Sequence, residues 1–68
     1  MAIRIILNGT QTELPRTVTV KEFLEQSRMR PENIAVEVNR EIVCHSEYNR
    51  VRLKENDHVE IVTMMGGG

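Results

Sequence analysis

Three sets of residues in this chain have types that could do chemistry. They are the run Gly66-Gly67-Gly68, the adjacent pair Cys44-His45, and the carboxylates Glu22, Glu25, Glu55, Asp57 and Glu60. The carboxylates are scattered, and a solvated face explains them better than an acid–base pair. A thiol–imidazole couple needs further ligands or a third group placed in space before it is a nucleophile or a metal site. His58 is the only other histidine, and there is no second cysteine. Cys44-His45 therefore reads as a small structural or surface pair, and a persulfide on Cys44 is unneeded while another attachment point exists. The glycine run has two readings. It is a frayed end, or the α-carboxylate of Gly68 is itself the reacting group. A carboxylate on bare glycines can be threaded into a narrow active site, because no side chain obstructs it and its φ/ψ are free. Three extended residues reach about 10 Å, enough to enter another protein's pocket. Residues 66–68 are thus expected to be a flexible tail, and residues 1–65 a single folded domain.

The composition limits what can position such a tail. Sixty-eight residues make one small domain. The chain is 40% hydrophobic, 28% charged and 3% aromatic, so aliphatic residues must carry a thin core. Nine Lys and Arg against ten Asp and Glu give a net charge of -1, which argues against a nucleic-acid partner. The short apolar runs exclude a membrane span, and Met1-Ala2-Ile3-Arg4 lacks the apolar stretch of a signal peptide. One cysteine cannot form an internal disulfide, which fits a reducing, cytoplasmic home. Enzymes are rarely this short, because a pocket needs walls.

The elements follow from periodicity. Ile3 to Leu7 alternates, with Ile3, Ile5 and Leu7 on one face and Arg4 and Ile6 on the other. Asn8-Gly9 signals a tight hairpin into Thr10–Leu14, with Thr12 and Leu14 inward, ended by Pro15. Thr19-Val20-Lys21-Glu22 reads as a capping box opening a helix of three turns. Val20, Phe23, Leu24 and Ser27 share its inner face, and Pro31 closes the segment. Residues 34–39 alternate, with Ile34, Val36 and Val38 one way. Arg40-Glu41 is expected to turn into Ile42-Val43-Cys44. Residues 46–49 suggest a turn or 3₁₀ piece, and 51–53 a brief edge strand. Lys54 to Asp57 turns, with Asn56 suited to a left-handed conformation. Residues 58–64 form the last strand, with Val59 and Ile61 inward and Glu60, Val62 and Met64 outward. One helix can cover one face of one sheet. Placing the first and last strands side by side makes them parallel, and the helix supplies the crossover. The expected fold is α+β: a β-grasp, or ubiquitin-like, roll with a mixed sheet of four to five strands.

These segments also carry a resemblance. Thr19-Val20-Lys21-Glu22-Phe23-Leu24, Val36-Glu37-Val38-Asn39-Arg40-Glu41-Ile42-Val43, Leu53-Lys54-Glu55-Asn56-Asp57-His58-Val59-Glu60-Ile61 and the terminal glycines stand in the order and spacing of one family. The chain resembles, over almost its whole length, the ThiS/MoaD-type sulfur-carrier family of ubiquitin-like proteins, in particular its thiamine-biosynthesis branch. One departure is Cys44, where the family often has Pro. The resemblance implies a carrier, not an enzyme. A ThiF-type adenylating enzyme, using ATP and magnesium, activates the Gly68 carboxylate as an acyl-adenylate. Sulfur originating from a cysteine desulfurase converts it to a thiocarboxylate, which a ThiG-type thiazole synthase consumes. The chain itself then holds no cofactor and no metal.

Ile6, Val62 and Met64 fall on the sheet face away from the helix, where polar residues are expected. With Met65 they are candidates for a docking patch, against the alternative of scattered apolar surface. Arg4 and Arg52 are expected at its rim. Three other functions share the pattern: a molybdopterin-synthase small subunit with the same tail chemistry, a ubiquitin-like modifier of lysines, and a non-covalent interaction module.

Overall fold

The computed structural model describes residues 1–63; the expectations on Met64, Met65, Gly66, Gly67 and Gly68 lie outside the described residues. Strands β1 (Ile3–Leu7) and β2 (Thr10–Leu14) form the expected hairpin, paired from Leu7↔Thr10 to Ile3↔Leu14. Its two turn residues, Asn8 and Gly9, have φ of 48° and 84°. Both central residues of a type I′ turn need positive φ, which this dipeptide supplies.

A short strand, β3 (Val18–Thr19), leads into helix α1 (Val20–Gln26). Thr19 and Glu22 form the capping box: Glu22 N–H donates to Thr19 Oγ1 at 3.0 Å and Thr19 N–H donates to Glu22 Oε1 at 2.9 Å. The next unpaired amides of the first turn, Val20 and Lys21, donate to the carbonyls of Val51 and Tyr48 at 2.9 and 2.8 Å. The helix has seven residues, shorter than the three turns expected, and Ser27 is its exposed C-cap, not part of the inner face. Proline is not what ends it. Arg28 turns left-handed at φ 60°, its N–H donates to Glu25 O, and Met29 N–H donates to Leu24 O. That is a Schellman closure made without glycine. Pro31 instead opens a 3₁₀ turn over Pro31–Asn33.

Strands β4 (Ile34–Val38) and β5 (Glu41–Val43) form a second hairpin. Its turn residues are Asn39 and Arg40, with φ of 53° and 71°, one residue earlier than the expected Arg40-Glu41. The Val38↔Glu41 pairing leaves two residues for the loop, and Asn accepts the left-handed region better than Glu. A 3₁₀ turn over His45–Glu47 precedes β6 (Arg52–Leu53). The expected edge strand pairs with β3 in a separate two-stranded sheet, Val18 opposite Leu53, both fully buried. Two residues are too few to show a period, so β3 is invisible to alternation.

The last strand, β7 (His58–Thr63), lies in the centre of the five-stranded sheet, whose order is β2-β1-β7-β4-β5. It runs parallel to β1 and antiparallel to β4, as the crossover argument requires. The core forms where α1 covers one face. Ile3, Ile5, Ile34, Val36, Val59 and Ile61 from the sheet meet Val20, Phe23 and Leu24 from the helix. Both hairpin turns also reach β7. Asn8 accepts Ile61 N–H on Oδ1 at 2.9 Å, and Asn39 accepts His58 N–H on Oδ1 at 3.0 Å. Asn39 Nδ2 donates in turn to Asp57, the buried carboxylate that also accepts Lys54 N–H at 2.7 Å. Asn56 is left-handed at φ 70°, as expected of that turn. The strand that leads to the C-terminal residues is therefore paired on both sides and bonded by both hairpin turns.

Candidate functional site: the open face of the sheet

The register places the described residues of the uncovered face. On β7 it carries His58, Glu60 and Val62; on β4, Ala35 and Glu37; on β1, Arg4 and Ile6; on β5, Ile42; on β2, Gln11 and Glu13. Val62 is 58% exposed and Ile42 is 74% exposed. Ile61, the next residue on β7, points into the core, so the two faces of the strand are assigned as the alternation predicts.

Ile6 and Val62 share this face but are not brought together. Ile6 is half-buried and sits opposite His58 and Gln11, whereas Val62 sits opposite Ala35. His58 and Val62 are four residues apart, so the two apolar spots lie about 13 Å apart along the strand. The single patch expected from sequence is thus two spots with Glu60 between them. Ile42, paired with Glu37, is a third; it lies on a three-residue strand too short to show alternation, and either placement of the turn leaves it on the outward face. With Asn39-Arg40 as the turn, Glu41 and Val43 face inward and Ile42 outward. Arg4 lies on the face, held by Glu55, which accepts its backbone N–H at 2.9 Å and pairs with its side chain at 3.8 Å. Arg52 belongs to the small sheet, beside Thr17 Oγ1 at 3.5 Å, and does not rim the face.

The other candidates take structural places. The ring of His45 packs on Tyr48 with centroids 4.9 Å apart, and its Nε2 lies 3.5 Å from Ile34 O. Cys44 is exposed. The Tyr48 hydroxyl is buried with no hydrogen-bond partner among the described residues. Burial, and secondarily the Cys44 charge, raises its pKa above 10.0. Glu22 is used by the helix cap. The Thr19 N–H holds its carboxyl below the ordinary value of 4.5 against a smaller opposing desolvation, helped by the Thr19 hydroxyl, Arg16 and Arg52. Asp57 orders its turn, and Glu55 holds Arg4. Among the described residues no three His, Cys, Asp or Glu side chains are grouped to hold a metal. Nor is any helix long and apolar enough to cross a membrane. A groove of about 720 Å³ runs between β5 and β6, past Val43, Cys44 and Val51 to Asn39 and Asp57. Its lining by Asn39 and Asp57 places one end of it beside the start of β7, the opposite end from Thr63.

Comparison with known proteins gives this arrangement a context. The chain is 33% identical over 66 residues to a thiazole synthase of Paramagnetospirillum magneticum, covering 97% of this chain and 20% of that protein. It therefore spans about a fifth of that relative's length. It is 33% identical over 63 residues to the sulfur carrier protein ThiS of Bacillus subtilis, covering 91% of this chain and 96% of that one. The crystal structure of the thiamine biosynthesis protein ThiS from Geobacter metallireducens superposes with a TM-score of 0.85 at 26% identity, covering 97% of this chain and 100% of that one. This likeness includes the β-grasp arrangement derived above. The sequence profile of the ThiS family matches residues 5–68, from the first strand through the glycine run, and the chain belongs to the ThiS family.

Proposed function

We propose that this chain is a cytoplasmic sulfur carrier of thiamine biosynthesis, and that the α-carboxylate of Gly68 is the atom group that carries the sulfur. The observation that carries the reading is the match of the family profile through Gly68. It is joined by the full-length likeness to a protein named as a sulfur carrier. A carboxylate at neutral pH is a poor electrophile. An adenylating enzyme transfers AMP from ATP to it and releases pyrophosphate, giving a mixed anhydride with a good leaving group. A persulfide anion then attacks the acyl carbon and displaces AMP, forming an acyl disulfide. A thiol cleaves its S–S bond, leaving the thiocarboxylate on Gly68 and a disulfide on the donor side. The thiocarboxylate sulfur is nucleophilic at neutral pH and is delivered to a thiazole synthase. Likeness to a thiazole synthase over this chain's length supports that partner. In this scheme the carrier supplies no base and no metal; ATP and magnesium act in the partner.

The open sheet face docks the adenylating enzyme, with Val62, Ile42 and Ile6 as its apolar contacts. Exposed apolar side chains of this size on one face are a cost in water that docking removes. The test is ATP–pyrophosphate exchange by the adenylating enzyme of the source organism. The intact chain should support exchange, and a chain lacking Gly68 should not. Exchange that persists without Gly68 contradicts the reading.

A further inference from the structure

Glu37 and Glu60 are direct cross-strand partners in the middle of the open face. Like charges directly opposite each other destabilise a sheet. Among the described residues neither carboxylate is in an ion pair; the one salt bridge is Arg4–Glu55. The chain has nine Lys and Arg, but the register puts only Arg4 on this face, against Glu13, Glu37 and Glu60. A nearly neutral protein therefore presents an acidic face. The pair also has apolar neighbours. Ile42 stands across β4 beside Glu37, Ala35 and Val62 form the next rung, and Ile6 lies across β7 toward His58. Such neighbours exclude water from whatever is held between the two carboxylates, and a charge pair dried by apolar contacts is stronger than one left in solvent.

We propose that Glu37 and Glu60 together receive one arginine side chain from the adenylating enzyme, so that the docking contact is an ion triad ringed by Ile6, Ala35, Ile42 and Val62. The guanidinium is planar, with donors forked to meet two carboxylates at once, and its charge removes the repulsion that the free sheet bears. This rests on the docking role assigned above and adds the chemistry of the partner.

The experiment measures the carrier's apparent affinity for the adenylating enzyme by ATP–pyrophosphate exchange, from low to high salt. The variants are Glu37→Gln with Glu60→Gln, Glu60→Arg, and Val62→Asp. The double Gln variant should fold normally, bind at least tenfold more weakly in low salt, and lose most of the wild-type salt dependence. Glu60→Arg should raise the melting point of the free chain, by giving Glu37 a cross-strand cation, while abolishing exchange. Wild-type affinity and salt dependence in the double variant, with Val62→Asp impaired, would overturn the ion triad and leave the docking face standing. Wild-type behaviour in all three variants would overturn both. Saturable magnesium binding to the free chain, lost in the double variant, would assign the pair to a metal ion instead and overturn the proposal.

Discussion

Asn8 closes on both polar backbone groups of Ile61, accepting its N–H on Oδ1 at 2.9 Å and donating Nδ2 to its carbonyl at 3.3 Å. These bonds span 53 residues of sequence and join the first turn to the last strand. They prolong the parallel β1–β7 pairing past the point where β1 has turned away. Asn8→Gly keeps the left-handed turn but removes the clamp. It should cost about 1–2 kcal/mol, one or two ordinary hydrogen bonds. Faster hydrogen exchange at the Ile61 amide, read by NMR, checks where the loss falls. Unchanged stability and protection would show that the clamp adds nothing.

Two arginines sit where glycine is cheaper. Arg28 closes the helix at φ 60°, and Arg40 fills the second turn position of β4–β5 at φ 71°. A left-handed conformation costs a side-chain-bearing residue roughly 1–2 kcal/mol, offset in part by the greater unfolded-state freedom of glycine. Arg28→Gly and Arg40→Gly should each stabilise the chain by about 0.5–1 kcal/mol in urea unfolding. A loss at either position would mean that the arginine side chain itself makes a stabilising contact.

Glu22 gives the fold an acid sensitivity whose sign is fixed. Its carboxyl is held below 4.5 in the folded chain, chiefly by the Thr19 N–H. The charged form thus contributes stability above 4.5, and that contribution is lost as pH falls through the depressed folded value. The melting-point difference between the wild type and Glu22→Gln should be constant near neutrality and shrink below pH 4.5. A difference that stays constant down to strong acid would contradict the assignment.

Tyr48 works in the opposite direction. Its buried hydroxyl has no partner among the described residues, and its pKa is raised above 10.0, mainly by burial. Stability from the neutral phenol is fully present below 10.0 and declines as pH rises through the raised value. Tyr48→Phe should leave packing intact, stabilise the chain by about 1 kcal/mol at pH 7 through loss of an unpaired buried hydroxyl, and flatten the alkaline decline. A destabilised Phe variant would mean that the hydroxyl has a partner in solution.

Much of this fold is legible in the sequence because its signals are local and strong. Asn8-Gly9, the Thr19–Glu22 capping box and the alternation of residues 3–7, 34–38 and 58–63 each specify geometry within a few residues. The misplaced features are those decided by tertiary contact or against propensity. Arg28 and Arg40 adopt conformations that their type disfavours, so the helix end and the second turn fall earlier than expected. The pairing of Val18 with Leu53 depends on the burial of both, which no short-range pattern carries. On the open face, Val62 was readable from its strand, whereas Ile42 sits on a three-residue strand too short to show a period, and the distance from Ile6 to Val62 needed the β1–β7 register.

The two faces of β7 separate folding from docking. Val62→Asp places a charge on an exposed position, so the melting point and far-UV spectrum should not change. Exchange activity should weaken at least tenfold, equivalent to roughly 1.4 kcal/mol. Ile61→Asp buries a charge in the core and should unfold the chain. Normal exchange by Val62→Asp would remove the docking role from this face.

Intact-mass and C-terminal peptide mass spectrometry tests the central claim most directly, after incubation with ATP, magnesium, the adenylating enzyme, a sulfur donor and a thiol. The account predicts exchange of one oxygen for one sulfur, located on Gly68, dependent on ATP and retained when Cys44 is replaced by Ser. Sulfur found on Cys44, and persisting after Gly68 is deleted, would contradict it.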